Sequence, residues 1–204
     1  MKKSRIIFIS LFSLLLISAC NKPKSGNGDD QKQEKETTTT EQQTTKPQIS
    51  KQRYFEAALN GDFSTVKKAI DNGMNVNATN QNGNSALMLA AYNGHSKIVD
   101  YLLEYEANVN KTDANNRTAL IYAASGNNPH TVELLIDAGA DLDHSDNGEH
   151  FTTLMFAASE GQTEVVKKLL EAGADKTIQD KDGETALDFA RKNGHNKIVQ
   201  LLEE

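Results

Sequence analysis

The chain has 204 residues, of which 37% are hydrophobic and 6% aromatic, with no tryptophan. This length suits one domain with accessory segments, and the few aromatic residues argue against a single aromatic-rich core. The formal net charge is −6 and there is no basic stripe, which argues against nucleic-acid partners and against purely electrostatic attachment to anionic lipids. Cys20 is the single cysteine, so no intramolecular disulfide can form.

The N-terminal residues have the pattern of a secretory signal. Three basic residues, Lys2, Lys3 and Arg5, precede an apolar run over residues 6–18. Its 13 residues are too few for a typical membrane-spanning helix, which needs roughly 20. We therefore predict a signal peptide over residues 1–19, whose removal would change the net charge to −6 − 3 = −9.

The end of this run, Ile17-Ser18-Ala19-Cys20, resembles the bacterial lipobox, in which cleavage precedes a lipid-bearing cysteine. The resemblance implies that Cys20 carries acyl chains such as palmitate, which anchor a protein at about 0.8 kcal/mol per buried CH₂. It also implies an extracytoplasmic protein held on a bacterial membrane. If the host has two membranes, Asn21 after the cysteine resembles the outer-membrane pattern, with the domain facing the periplasm. The alternative is that Cys20 lies in an ordinary signal peptide or an uncleaved anchor.

Residues 20–50 have the composition of a disordered linker that begins at the lipidated cysteine. Ile49 is the only aliphatic or aromatic residue between Asn21 and Ser50, so burial cannot offset the entropy of ordering this segment. About thirty flexible residues span roughly 30 Å. An alternative is that Asp29-Asp30 and the neighbouring basic residues form a sorting signal.

An internal repeat occupies the rest of the chain. Paired alanines recur at spacings of 33, 33 and 34 residues, and a further alanine follows after another 33. They are Ala57-Ala58, Ala90-Ala91, Ala123-Ala124, Ala157-Ala158 and Ala190. The pattern predicts a domain over residues 51–204, with repeats over about 51–79, 80–112, 113–146, 147–179 and 180–204 and one extra residue between the third and fourth alanine pairs.

Each repeat contains two short helical patterns joined by a turn. A serine or threonine that can cap free backbone N–H groups precedes the first helix of repeats two to five. The turn has a glycine or asparagine, which predicts a left-handed backbone there. These residues are Ser85, Thr118, Thr152 and Thr185 as caps, and Gly61, Gly94, Asn127, Gly161 and Gly194 in the turns. Pro129 is expected to start a second helix, where its missing N–H costs little.

The recurring order resembles the ankyrin repeat, whose pattern is T-P-L-H-x-A-A, G-H, V-x-x-L-L and G-A-D, over roughly three-quarters of the chain. The resemblance implies an all-α ankyrin-repeat solenoid of five helix-turn-helix units with connecting β-turn loops. No unit can bury its apolar face alone, so stacking completes the core. Tyr54–Gly73 resembles an N-terminal cap, and the last unit a C-terminal cap. The latter is expected to expose Lys192, Asn193, Asn196 and Lys197.

Two positions depart from the family pattern. Alanine or threonine replaces the family proline at Ala86, Ala119, Thr153 and Ala186. The family histidine is replaced by Met88, Ile121, Met155 and Asp188, which is expected to remove a Thr–His hydrogen bond. The third repeat also has Asn127-Asn128-Pro129 where Gly-His is usual.

Few residues of the sequence have the arrangement of a catalytic or metal-binding site. His95 and His195 follow the turn glycines, where the family has histidine for structural reasons, and His130 is expected on the surface. Asp143–His150 holds two histidines and several carboxylates, but it has no scaffolded metal-ligand spacing, so a solvated loop is the favoured interpretation. No nucleophile elbow or phosphate loop is present. We therefore predict no enzyme activity, no metal and no cofactor.

The resemblance implies a binding face made of loop tips and the exposed flank of the first helices. The matching residues are Gln81, Asn82, Asn84, Tyr92, Asn93, Asn115, Arg117, Ser125, Glu149, Phe151, Ser159, Glu160, Lys181, Asp182, Glu184 and Lys192. Tyr92, Arg117 and Phe151 are the expected anchors, because aromatic residues and arginine carry most interface energy. Phe151 could instead pack under its own loop, Tyr92 could be ordinary surface, and the asparagines could serve turns first.

These features predict a monomeric, membrane-anchored protein–protein interaction module that inhibits or protects one partner protein of unknown identity. One alternative is a structural factor that recruits or spaces envelope proteins without regulating them. Another is binding of a metal or small ligand through Asp143–His150.

Overall fold

The computed structural model describes residues 49–204, which form ten α-helices and no β-strand. The helices are α1 (Lys51–Asn60), α2 (Phe63–Asp71), α3 (Ala86–Tyr92), α4 (Ser96–Glu104), α5 (Ala119–Ser125), α6 (Pro129–Asp137), α7 (Thr153–Ser159), α8 (Thr163–Glu171), α9 (Ala186–Lys192) and α10 (Asn196–Glu203). The predicted signal peptide, Cys20 and residues 20–48 of the linker lie outside the described residues. No helix within residues 49–204 is both long and apolar enough to cross a bilayer.

The ten helices form five antiparallel pairs that stack side by side. The first helices pack in one row, α1 on α3, α3 on α5, α5 on α7 and α7 on α9, and the second helices pack in a parallel row. Each pair packs mainly on the pairs next to it, and the buried residues of all five pairs form one continuous core. This confirms the predicted all-α repeat solenoid.

Small residues let the first helices approach one another closely. The alanine pairs of α3, α5 and α7 are all 0% exposed. Larger apolar residues fill the space between the two rows; among them Leu102, Leu135 and Leu169 of the second helices are also 0% exposed. The repeat pattern therefore marks the contacts between units as well as the helices themselves.

The predicted caps are confirmed at the first helices. The Oγ of Ser85 accepts the Met88 N–H at 3.3 Å, and Thr118 Oγ1 accepts the Ile121 N–H at 3.4 Å. Such a cap contributes about 1 kcal/mol. In the fifth repeat another side-chain hydrogen bond takes the place of the family's Thr–His bond, because Thr185 Oγ1 donates to Asp188 Oδ2 at 2.7 Å. This hydrogen bond is the main cause that lowers the pKa of the Asp188 carboxyl.

The turns between paired helices are left-handed, as predicted. The φ angle is +78° at Gly61, +68° at Gly94, +76° at Gly161 and +74° at Gly194. Asn127 adopts the same region at +54°, and α6 begins at Pro129 as expected. An asparagine therefore substitutes for glycine in the third repeat without changing the course of the chain.

The folded domain begins slightly before residue 51. Ile49, in the segment predicted as linker, packs against the core, and Ser50 Oγ accepts the Arg53 N–H at 3.2 Å to cap α1. At the other end Lys192, Asn193, Asn196 and Lys197 are exposed, as expected of a terminal unit.

Replacing Glu106 with glycine is expected to stabilise the domain by about 0.5–1 kcal/mol. Second helices end at a left-handed residue, which is Gly73, Gly139 or Gly173 in other repeats but Glu106, with φ of +60°, after α4. A left-handed non-glycine residue costs roughly 1–2 kcal/mol, and the greater entropy of glycine in the unfolded chain offsets part of the gain. Urea unfolding measures the difference.

The matched control is Gly139→Ala, which places a side chain at the equivalent left-handed position. No atom lies within 4 Å of the added Cβ, so a loss of stability there reports on the backbone alone. Equal stability of the wild type and both variants would show that this position is not strained.

Candidate functional site

The loops between repeats are closed by an asparagine or aspartate at their first position. Asp113 Oδ1 accepts the N–H groups of Asn115 at 2.9 Å and Arg117 at 2.8 Å. Asn80 and Asp180 close their loops in the same way. Short polar side chains that satisfy local N–H groups favour such tight turns. The sequence of each loop therefore fixes its own tip.

Successive loops are also joined to one another through the backbone. Ala114 N–H donates to Asn82 O at 3.2 Å, Asn147 N–H to Asn115 O at 2.9 Å, and Lys181 N–H to Glu149 O at 3.0 Å. The loop tips of repeats two to five therefore form one row beside the first helices. We call the surface made by these tips and the exposed sides of α3, α5, α7 and α9 the inner face.

The sixteen residues predicted for binding are all at least partly accessible. The exposed ones are Gln81, Asn82, Tyr92, Asn93, Asn115, Ser125, Glu149, Glu160, Lys181, Asp182 and Lys192. The half-buried ones are Asn84, Arg117, Phe151, Ser159 and Glu184. Tyr92 is 47% exposed, the highest value among the large hydrophobic residues of the described chain.

Sequence reasoning missed a row of larger side chains on the inner face. The residues four positions after the caps are Leu89, Tyr122, Phe156 and Phe189, and all four are half-buried. The Tyr122 ring lies 6.2 Å from the Tyr92 ring, edge to face. The signal was present in the sequence, because the position recurs with the repeat and is aromatic in three of these four units.

Phe151 joins this row from the loop side. Its ring centroid lies 5.4 Å from that of Phe156 and 4.8 Å from that of Phe189. It therefore packs on the first helices of its own and the next repeat and keeps part of its surface in solvent. His150, where φ is +63°, occupies the left-handed position that Gly83, Asn116 and Gly183 take in the other loops, so the extra residue lies between Asp146 and His150. Asp146 Oδ1 accepts the Phe151 N–H at 3.1 Å.

Arg117 connects two loops. Its Nη2 lies 3.5 Å from Oδ2 of Asp146, a carboxylate that is 5% exposed, and its Cζ lies 5.6 Å from the centre of the Phe156 ring. The Arg117 Nε is buried and makes no hydrogen bond within the described residues. Its removal would leave a buried carboxylate without a cation, so Arg117 supports the loops besides being accessible.

Two ionisable side chains of the inner face have a pKa above its ordinary value. Burial, with a smaller contribution from Asp113, raises the pKa of the Tyr122 phenol, whose hydroxyl donates to Asp113 Oδ2 at 2.9 Å. The hydrogen bond from Lys192 to Glu184 raises the pKa of Lys192. At neutral pH the tyrosine is therefore uncharged and the lysine charged.

The turn histidines bind the neighbouring repeat, as expected for a structural role. His95 Nε2 lies 2.9 Å from Leu59 O, and His195 Nε2 lies 3.0 Å from Ser159 O. Asn93 Nδ2 also donates to Leu59 O at 2.7 Å, so its amide serves repeat stacking although its surface is exposed. His130 is on the surface, 3.8 Å from Glu133.

The Asp143–His150 loop uses polar groups to contact the segments before and after it in the chain. His144 Nε2 lies 2.8 Å from Asn116 O, and Asp143 Oδ1 accepts the Asp175 N–H at 2.8 Å. Within residues 49–204 no three histidine, cysteine or acidic side chains are grouped so that they could hold a metal ion. The loop therefore links adjacent repeats, and its geometry does not favour metal binding.

Comparison with known proteins agrees with this architecture. The family model described as "Ankyrin repeats (3 copies)" matches residues 54–146 and 128–204. No curated protein matches the chain in sequence. Ankyrin repeats are in general interaction modules without catalytic activity. The chain belongs to the ankyrin-repeat family, and its folded domain is a protein–protein interaction module.

Proposed function

We propose that the protein is an extracytoplasmic lipoprotein, anchored to a bacterial membrane through Cys20, whose inner face binds one partner protein and inhibits or protects it. The observation that carries the binding part is the set of accessible aromatic side chains on the inner face, which are Tyr92 on α3, Tyr122 on α5 and Phe151 in the loop before α7. Partly exposed aromatic rings held by packing bind with little loss of side-chain entropy, which is typical of interface anchors. The lipobox-like end of the apolar run supports the anchoring part.

Tyr92→Ala is expected to weaken partner binding at least about tenfold, which corresponds to about 1.4 kcal/mol. The wild-type full-length chain is crosslinked in its native envelope to identify the partner, and the affinity of each variant for it is then measured. Tyr92 is a cleaner choice than Arg117, because it holds no buried charge in place. The folded state of the variant is checked by circular dichroism.

Tyr105→Ala is the matched control. Tyr105 is 44% exposed, close to the 47% of Tyr92, and packs on Tyr101 of α4, away from the inner face. If Tyr105→Ala weakens binding and Tyr92→Ala does not, the binding face is on the second helices. If the partner is captured but its activity is unchanged on binding, the protein recruits or spaces envelope proteins instead of regulating them.

The anchoring part is tested separately with Cys20→Ala. The wild-type chain is expected to incorporate a labelled fatty acid and to remain with the membrane fraction, because several acyl chains anchor a protein stably. Cys20→Ala should lose both properties. Fatty-acid labelling that persists in the variant would contradict lipidation at Cys20.

A further inference from the structure

The dipeptide Asn-Gly is chemically the least stable asparagine sequence, because glycine does not shield its own backbone nitrogen. It occurs six times in residues 49–204, at Asn60, Asn72, Asn82, Asn93, Asn147 and Asn193. Deamidation at such a site needs the backbone nitrogen of the glycine to attack the asparagine side chain. A hydrogen bond from that N–H holds the nitrogen away from the reaction, so the structure can protect each site individually.

Five of the six glycine N–H groups donate to a backbone carbonyl oxygen. Gly61 donates to Ala57 O as part of the α1 C-cap. The others donate over 3.2 Å or less: Gly73 to Ile70 O, Gly83 to Asn80 O, Gly94 to Ala91 O and Gly194 to Arg191 O. Two of the side chains are held as well, since Asn93 Nδ2 lies 2.7 Å from Leu59 O and Asn193 Nδ2 2.9 Å from Ser159 O.

Asn147-Gly148 lacks this protection. Among the described residues no acceptor receives the Gly148 N–H, and no group bonds to the Asn147 side-chain amide. Both residues are exposed in the loop that carries the extra residue of the repeat. In the regular loop of repeat two, by contrast, Gly83 N–H closes the turn onto Asn80 O at 3.1 Å.

We propose that Asn147 is the site at which the folded domain deamidates spontaneously. The Gly148 nitrogen loses its proton to water and forms a bond to Asn147 Cγ, while the Cγ–Nδ2 bond breaks and ammonia leaves with that proton. Water then opens the cyclic imide at either carbonyl, which yields aspartate or isoaspartate. The net reaction consumes one water and releases one ammonia, and needs no enzyme or oxidant.

The product changes the row of loop tips. Asn147 N–H donates to Asn115 O at 2.9 Å, and Lys181 Nζ lies 3.4 Å from Asn147 O, so this residue joins the loops of repeats three, four and five. Isoaspartate adds a methylene to the main chain at that junction and a negative charge beside Glu149. This inference does not depend on the proposed function, because the chemistry requires no partner.

The test is incubation of the whole protein at neutral to mildly alkaline pH, followed by tryptic digestion and mass spectrometry. Peptide 118–167 contains Asn147 and no other Asn-Gly sequence. We expect deamidation there at least about tenfold faster than at the other five sites, because each of those must first lose a hydrogen bond. In urea the six rates should converge, since no hydrogen bond then protects any site.

Gly148→Ala is the matched variant, because it keeps Asn147 and hinders the attacking nitrogen. Gly148 does not have a positive φ, and an added Cβ would meet its nearest atom, Asp146 Oδ2, at 3.5 Å, so the variant should fold. It should slow deamidation of peptide 118–167 about tenfold. The proposal is overturned if another site reacts as fast as Asn147 in the native protein, or if the order of rates persists in urea.

Discussion

Replacing Leu169 with alanine is expected to lower the free energy of unfolding by about 2–5 kcal/mol. Leu169 is 0% exposed on α8, where it lies between the two rows of helices. Truncation removes buried methyl groups and leaves a cavity. The cavity cannot collapse fully, because the repeats on both sides hold α8 in place. Since natural domains have only about 5–15 kcal/mol in total, the loss should be evident in urea or thermal unfolding.

Lys167→Ala in the same helix is the control for Leu169→Ala. Lys167 is exposed and lies 3.8 Å from Glu171, a surface pair whose loss should change stability by less than about 0.5 kcal/mol. Unfolding of Leu169→Ala within error of the wild type would contradict the stacked core described for these repeats.

Gly126→Ala is expected to destabilise the domain by about 2–3 kcal/mol, although its backbone is not left-handed. At φ of −84° any residue is allowed, so the cost comes from space. A Cβ at Gly126 would overlap the carbonyl oxygen of Tyr92 in the preceding repeat and the amide of Asn128. Asn128 Nδ2 donates to Tyr92 O at 2.8 Å, which draws the two repeats together at this point. Overpacking against a backbone atom forces the units apart.

Glu160→Ala tests whether this effect is specific to the third repeat. Glu160 occupies the equivalent position after α7, is exposed, and already has a Cβ. Its truncation should change stability by less than about 0.5 kcal/mol. Equal unfolding midpoints for Gly126→Ala and the wild type, measured by circular dichroism, would refute the close approach of repeats two and three.

The helices could be predicted from the sequence because their signals are local and repeated. A cap such as Thr118 forms its hydrogen bond three residues away, and a turn residue such as Gly194, with φ of +74° and open space around it, needs only its own φ. Repetition strengthens the pattern, since each unit must present the same small residues to its neighbours. The requirement for glycine at position 126 could not be predicted in this way. It comes from the carbonyl oxygen of Tyr92, 34 positions earlier, and from the side chain of Asn128.

The inner face was only partly predictable for a related reason. Family resemblance placed the accessible positions, but it did not tell which side chains are free. Asn82 and Asn93 both precede a glycine, yet only the Asn93 amide reaches a carbonyl oxygen of the preceding repeat. Hydrogen bonds of this kind depend on the distance between adjacent repeats, which a pattern of residues close in sequence does not specify. The role of Arg117 as a bridge to Asp146 depends on the same spacing.

Each unit packs mainly on the units next to it, so the stack behaves as a one-dimensional system. A structural change in one unit can therefore influence a distant unit only through the units between them. Within the described residues the fifth unit packs on the fourth alone, and its Leu187 and Val199 are only half-buried, whereas Leu154 and Val166 at the same positions of the fourth unit are buried. Opening should therefore start at this end and cost less than global unfolding. A partner that binds Glu184 and Lys192 would have to hold the fifth unit in its folded conformation. Part of the binding free energy would then offset the conformational entropy that this unit loses.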